Sequence, residues 1–160
     1  MDIDEFQEKI KLWEDLRLSK SYLSLRKKLE EPKNKNLTEV LENRILAIRN
    51  EWEARKDIEG EFIFAPSEGL LSVMGYKVGI NGLKQELRRK ILADVIEGPV
   101  PLVSSPGYMQ EWGDDGSKKR INKTFNCLLA FSSGTIHQAH HEALKDWEED
   151  LKWLSSHFKR

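Results

Sequence analysis

The stretch "GDDGSKKRINK" sets Lys118, Lys119 and Arg120 in the first turn of a helix whose pattern runs from Lys118 to Phe131. The positive end of the helix dipole lies at that turn, so cations crowded there are unfavourable. Free backbone N–H groups add to the same positive field, which suits the place to a phosphate or another anion. Lys119, Asn122, Lys123 and Asn126 then share one polar, basic face that suits a nucleic-acid backbone. A structural use competes with this one. Asp114 and Asp115 lie one turn earlier and can neutralise the lysines, and Asp115 or Ser117 can cap the helix. The glycine, serine and lysine order is not a P-loop, which has its glycine–lysine after a four-residue gap and behind a strand.

A second basic set, Arg88, Arg89 and Lys90, stands in "GLLSVMGYKVGINGLKQELRRKIL". Read as a helix-turn-helix, its second helix would present Gln85, Glu86 and Arg89 to base edges, and Glu86 opposes phosphates. The linking segment is also longer than the usual turn of that motif. Arg88 falls inside an apolar arc of Leu83, Leu87, Ile91, Leu92, Val95 and Ile96, so it needs a partner. That partner is either an internal carboxylate or the phosphate or carboxylate of a ligand. Arg89 and Lys90 fall on the opposite side with Glu86 and Asp94, as a solvated face.

His137 and His141 are four apart and share a helix face, an arrangement able to grip one ion. Gln138 stands where a zincin motif has glutamate, and two ligands fall short of a four-coordinate shell. His140 lies on the apolar stripe of the same helix and reads as a hydrogen-bonded, half-buried residue. Cys127 reads as a buried thiol, with no His or acid placed beside it by local spacing. There is no Ser–His–Asp order and no nucleophile elbow, so no catalytic residue is assigned and no cofactor is implied. Aromatic chemistry is left. Tyr108, Met109 and Trp112 cluster in "GYMQEWG", and Trp153 points away from the stripe of Trp147, Leu151 and Leu154. Exposed Trp and Tyr are typical interface anchors; satellite packing is their other use.

The elements that must position these groups read as helices throughout. Ile3, Phe6, Ile10 and Trp13 form one stripe at helical spacing, which then shifts to Leu18, Tyr22, Leu25 and Leu29. The helix bends near "LSKS", or Ser19 caps a second one. Pro32 ends it, and Asn36 with Glu39 forms a capping pair for the next helix, which carries Leu37, Leu41, Ile45, Ile48 and Trp52 on one face. These elements form an antiparallel hairpin over residues 1–60. Phe62, Ile63 and Phe64 are extended without an evident partner, Pro66 turns the chain, and Ser67 caps a short helix to Met74. In "GYKVGING", Gly75, Gly79 and Gly82 permit positive φ. Helices from Leu83 to Glu97, Lys118 to Phe131 and Ile136 to Phe158, with a short turn from Tyr108 to Trp112, make a bundle over residues 61–160. The class is all-α, with an N-terminal helical hairpin packed on a C-terminal multi-helix bundle and one shared core. The compositional edge falls near Glu61.

The chain has 160 residues and a formal net charge of −1, so no global field draws it to DNA or membrane. Five Trp, six Phe and three Tyr supply core side chains that a disordered chain lacks. A single cysteine excludes an internal disulfide and fits a cytoplasmic setting. No apolar run spans a bilayer and no signal peptide is expected at the acidic start.

"LLSVMGYKVGINGLKQELRRKIL" and "YMQEWGDDGSKKRINKTFNCLLAFSSG", with "DWEEDLKWL" closing, together resemble a helical domain of uncharacterised bacterial and phage-related proteins. In that domain a glycine-containing turn precedes an arginine-bearing helix, and a tyrosine–tryptophan–glycine segment precedes two closing helices. The resemblance covers roughly the last 90 residues. It implies a bacterial or phage cytosolic setting and no activity. The expected function is a non-enzymatic accessory or regulatory module that binds a protein partner through Tyr108, Met109, Trp112 and Trp153. The alternatives are a nucleic-acid binder using Arg88, Arg89, Lys90, Lys118, Lys119, Arg120 and Lys123, and a small metal-dependent enzyme using His137 and His141.

Overall fold

Asp2 accepts from the backbone N–H of Glu5 at 2.8 Å and so caps helix α1, Ile3–Ile10, in the computed structural model. The structure describes residues 1–56, 62–63, 69–133 and 141–158. Glu61, Phe64, Pro66, Ser67, Ile136, His137 and His140 lie outside the described residues, and with them the expectations that rest on them. Contacts divide the chain into two compact units. One comprises Met1–Gly75 with Pro99–Pro106, and the other Tyr76–Gly98 with Gly107–Arg160.

In the first unit, α1 is followed by α2, Asp15–Glu30, a 3-10 turn, Pro32–Leu37, and α3, Thr38–Arg55. The break between α1 and α2 falls at Trp13 and Glu14, earlier than the "LSKS" bend that the shifting stripe suggests. Arg55 explains the position. Its guanidinium donates to the carbonyl of Ile10 at 3.1 Å, at the end of α1, and to the carboxylate of Asp15 at 2.6 Å, at the start of α2. It thereby satisfies an orphan carbonyl of one helix and pairs with the first turn of the next. Ser19 therefore sits inside α2, buried, and caps nothing. Asn36 is likewise no cap: Leu37 precedes α3 without a side-chain bond, and the Thr38 hydroxyl donates to the carbonyl of Lys35 at 2.8 Å.

Helices α2 and α3 run antiparallel, since Asp15 opens one and Arg55 closes the other. Their seam buries Leu18, Tyr22 and Leu25 with Leu41, Ile45, Ile48 and Trp52. The Tyr22 and Trp52 ring centroids are 5.4 Å apart. Helical spacing predicts this face except at its ends, where Leu29 is half-buried and Leu37, in the 3-10 turn, is 46% exposed. Ile63 forms an isolated parallel bridge with Val103, donating to Leu102 at 2.9 Å and accepting from Ser104 at 2.8 Å. The partner that local sequence does not disclose lies forty residues downstream. The unit ends at α4, Leu70–Val73, and at Gly75, whose φ of +95° favours glycine.

The second unit holds α5, Gln85–Glu97, most of α6, Pro106–Trp112, then α7, Lys118–Ser133, and α8, His141–His157. Helix α7 packs along α8, and α5 packs on both. Leu87, Ile91, Leu92, Val95, Ile121, Phe125, Leu128, Trp147 and Leu154 are buried there. Gly79 takes positive φ as expected, but Gly82 does not. Glycine is required at position 82 because a Cβ would meet the Val78 carbonyl carbon at 2.5 Å. The class is all-α, and among the described residues there is no strand and no helix long and apolar enough to cross a membrane.

Candidate functional site

The seven cations singled out by sequence do not form one surface. Arg88 is buried on α5, and its acceptors come from its own chain. Nε and Nη2 hold the two carboxylate oxygens of Asp150 on α8 at 2.8 and 3.2 Å, and Nη1 donates to the carbonyl of Leu83 at 2.9 Å. Asp146 and Glu149 stand 3.6 and 3.9 Å from Nη2. The Tyr76 hydroxyl donates to Asp150 at 2.6 Å, and the backbone N–H of Gly79 donates to Asp146 at 2.9 Å. Two aspartates one helical turn apart on α8 therefore fasten the glycine turn and α5 together. Burial works against the charge of Arg88, but the hydrogen bond and charge of Asp150, with Asp146, outweigh it and raise its pKa. Burial, then the Asp150 charge, pushes the Tyr76 phenol far above its ordinary range.

Arg120 is internal as well. It donates to the carbonyls of Val95 at 2.8 Å, Gly98 at 3.0 Å, Trp112 at 3.2 Å and Gly113 at 2.8 Å, and its Nη2 lies 3.2 Å from Asp115. Val95 and Trp112 belong to the last turns of α5 and α6, where carbonyls lack intrahelical donors and the dipole is negative. One guanidinium thus closes two helix ends, so its place at the positive start of α7 is compensated. Burial lowers its pKa, with Asp115 opposing that shift. Ser117 caps α7 by accepting from the N–H of Arg120 at 3.1 Å, as local composition suggests.

The remaining cations are at the surface. Lys118 and Lys119 are exposed at the start of α7. Lys123 is half-buried, 3.3 Å from Glu111 and 5.9 Å from the centroid of the Trp112 ring. Lys90 is exposed and Arg89 half-buried on α5, while Asp94, expected beside them in solvent, is buried.

The aromatic set divides in the same way. Trp112 is fully buried, which removes it from the expected binding surface. Tyr108 meets it edge-on at 6.4 Å, and Tyr108 and Met109 are half-buried. Gly113, which follows the tryptophan, takes a φ of +68° where α6 ends. Trp153 stays half-buried. His157 lies 4.6 Å from its ring, tilted by 31°, and the Arg89 guanidinium lies 5.9 Å from the ring centroid. Arg89 and Trp153, drawn from two different sets, line one open groove of about 430 Å³ between α5 and α8. Gln85, Glu149, Lys152 and Ser156 complete it. Sequence reading missed Glu149, Lys152 and Ser156, and singled out Gln85 only as part of a helix-turn-helix face. Their signal was the polar stripe of Glu149, Lys152, Trp153 and Ser156 at helical spacing, off the apolar stripe of α8.

His141 is exposed at the start of α8, and among the described residues no group of His, Cys, Asp and Glu is arranged to hold a metal ion. Cys127 is half-buried, and burial raises its thiol pKa, which keeps it in the unreactive protonated form at neutral pH. Comparison with family models, curated proteins and solved structures finds no match to this chain.

Proposed function

We propose that the chain is a non-enzymatic interaction module that binds another protein through the α5–α8 face of its second unit. The observation that carries this reading is the groove in which Arg89 and Trp153 meet. Arg and Trp are the side chains most enriched among residues that dominate binding energy, and here both have rigid helical backing. Beneath them, the Arg88–Asp150–Tyr76 contacts hold α5 and α8 in place, so the face is organised before a partner arrives. The resemblance of the C-terminal half to a bacterial and phage-related helical domain makes an accessory role in such a setting part of the proposal.

A nucleic-acid reading has less support. Arg88 and Arg120 have internal acceptors, and the exposed pair Lys118 and Lys119 lies close in sequence to the exposed acids Glu111 and Asp114. The two readings separate in one experiment. Affinity capture from a native lysate is run with and without nuclease, using the wild-type chain and the Arg89→Ala, Trp153→Ala double variant. The proposal expects a nuclease-resistant protein partner that the double variant no longer retains, although the variant remains folded by far-ultraviolet circular dichroism at the capture temperature. Retention by the variant, or loss of the captured material on nuclease treatment, overturns it.

A further inference from the structure

The chemistry lining the groove also points to what fills it. Glu149 supplies the only carboxylate among the residues lining it, and that carboxylate already has partners within the chain. Its Oε2 accepts from the Gln85 amide at 3.1 Å and lies 3.9 Å from Arg88, while Lys145 stands 3.9 Å from its other oxygen. Arg89 and Lys152 are not balanced in this way. Among the described residues neither takes part in an ion pair, and the Nε of Arg89 has no hydrogen-bond acceptor. The lining thus carries two cations, Arg89 from α5 and Lys152 from α8, against one carboxylate that already has partners within the chain.

The aromatic ring between them decides the class of partner. Single-stranded nucleic acids bind by laying bases on exposed indole faces. Here the Trp153 ring already carries His157 and Arg89 against it and meets Phe158 edge-on at 5.9 Å, so no open stacking platform is offered. Trp153 is still only half-buried and lines the groove, so the surface these neighbours leave open suits one aliphatic side chain and not a stacked base. We infer that the groove receives a short acidic peptide segment of a partner protein. Its carboxylates pair with Arg89 and Lys152, and one large apolar side chain packs on Trp153. Paired carboxylates suit the guanidinium fork and fix the register of the segment. This inference rests on the protein-binding reading above and adds the chemistry of the bound segment.

The test uses the full chain and fluorescence anisotropy. The probes are a labelled pool of short synthetic peptides built from Asp, Glu, Leu and Phe, and a matched pool in which Lys and Arg replace the acids. The acidic pool should bind and the basic pool should not. Lys152→Glu alters an exposed side chain and leaves the fold unburdened; it should weaken binding of the acidic pool about ten-fold or more, and Arg89→Gln should act in the same direction. Lys118→Ala, remote from the groove, should bind like the wild type. Equal binding of both pools, or binding indifferent to Lys152→Glu, overturns the acidic-segment inference. The broader reading fails separately: a captured partner that Trp153→Ala releases but the acidic pool does not displace leaves the groove as the docking site and refutes only the acidic occupant.

Discussion

Replacing Asp150 by Ala should be among the most damaging single changes in the second unit. Its side chain is 0% exposed, that of Arg88 is 3% exposed, and so solvent screening barely weakens the pair. The carboxylate accepts two bonds from Arg88 and one from Tyr76. Each hydrogen bond to a charged group contributes about 1.5–3 kcal/mol, but bonds sharing one acceptor are not additive. Removing Asp150 leaves the buried Arg88 with only the longer contacts to Asp146 and Glu149, at 3.6 and 3.9 Å, and the expected loss is about 3 kcal/mol. Against a total stability of about 5–15 kcal/mol, that is a large fraction. The assay is urea unfolding followed by far-ultraviolet circular dichroism and tryptophan fluorescence, with linear extrapolation to water. A second variant separates charge from packing. Arg88→Met, Asp150→Leu and Tyr76→Phe together remove the three fully hydrogen-bonded side chains of the contact and should lose less than Asp150→Ala alone, because the buried guanidinium goes with its main carboxylate while Asp146 keeps the Gly79 N–H. A loss below about 1 kcal/mol for Asp150→Ala, or a triple variant weaker than the single one, would refute the claim that this network stabilises the unit by mutual compensation.

The Tyr76 phenol, whose folded pKa is raised by burial and by Asp150, contributes stability that is complete below its unfolded pKa of about 10 and declines as pH rises toward the folded value. Unfolding free energy should therefore fall from about pH 10 upward, and Tyr76→Phe should flatten that decline in a series of urea titrations. Arg120→Met strands the carbonyls of Val95, Gly98 and Gly113 and should cost about 3–5 kcal/mol, read as a lowered urea midpoint. Lys118→Ala with Lys119→Ala removes exposed cations from the positive end of α7, and melting should rise by an amount equivalent to about 0.5–1 kcal/mol. A lower melting temperature would mean that those lysines hold a stabilising counter-charge.

The local pattern made much of this molecule legible. The stripe of Leu41, Ile45, Ile48 and Trp52 is buried as helical periodicity requires, and the same holds for Leu87, Ile91, Leu92 and Val95. The oddity of Arg88 inside an apolar arc was visible, and so was the divergence of Trp153 from the stripe of its helix. Which acid would meet Arg88 was not visible, because Asp150 lies sixty-two residues away and α8 carries several other carboxylates at similar spacing. Arg120 misled for a different reason. Three adjacent cations read as one anion-binding cluster, yet a helix turns about 100° per residue, so Lys119 and Arg120 face different surroundings. Trp112 misled likewise: its segment reads as a loop, while α6 delivers its indole to the interior.

Sequence by itself determined the class of the fold and most helix faces, and narrowed the cap of α7 to Asp115 or Ser117, because each depends on residues within a few turns of one another. Tertiary structure alone decided the partner of Ile63, the acceptors of both buried guanidiniums and the pairing of Arg89 with Trp153 across two helices. Those outcomes depend on which distant segments the collapse of the apolar faces brings together, and an arginine is internal or external only once the carbonyls and carboxylates around it are in place.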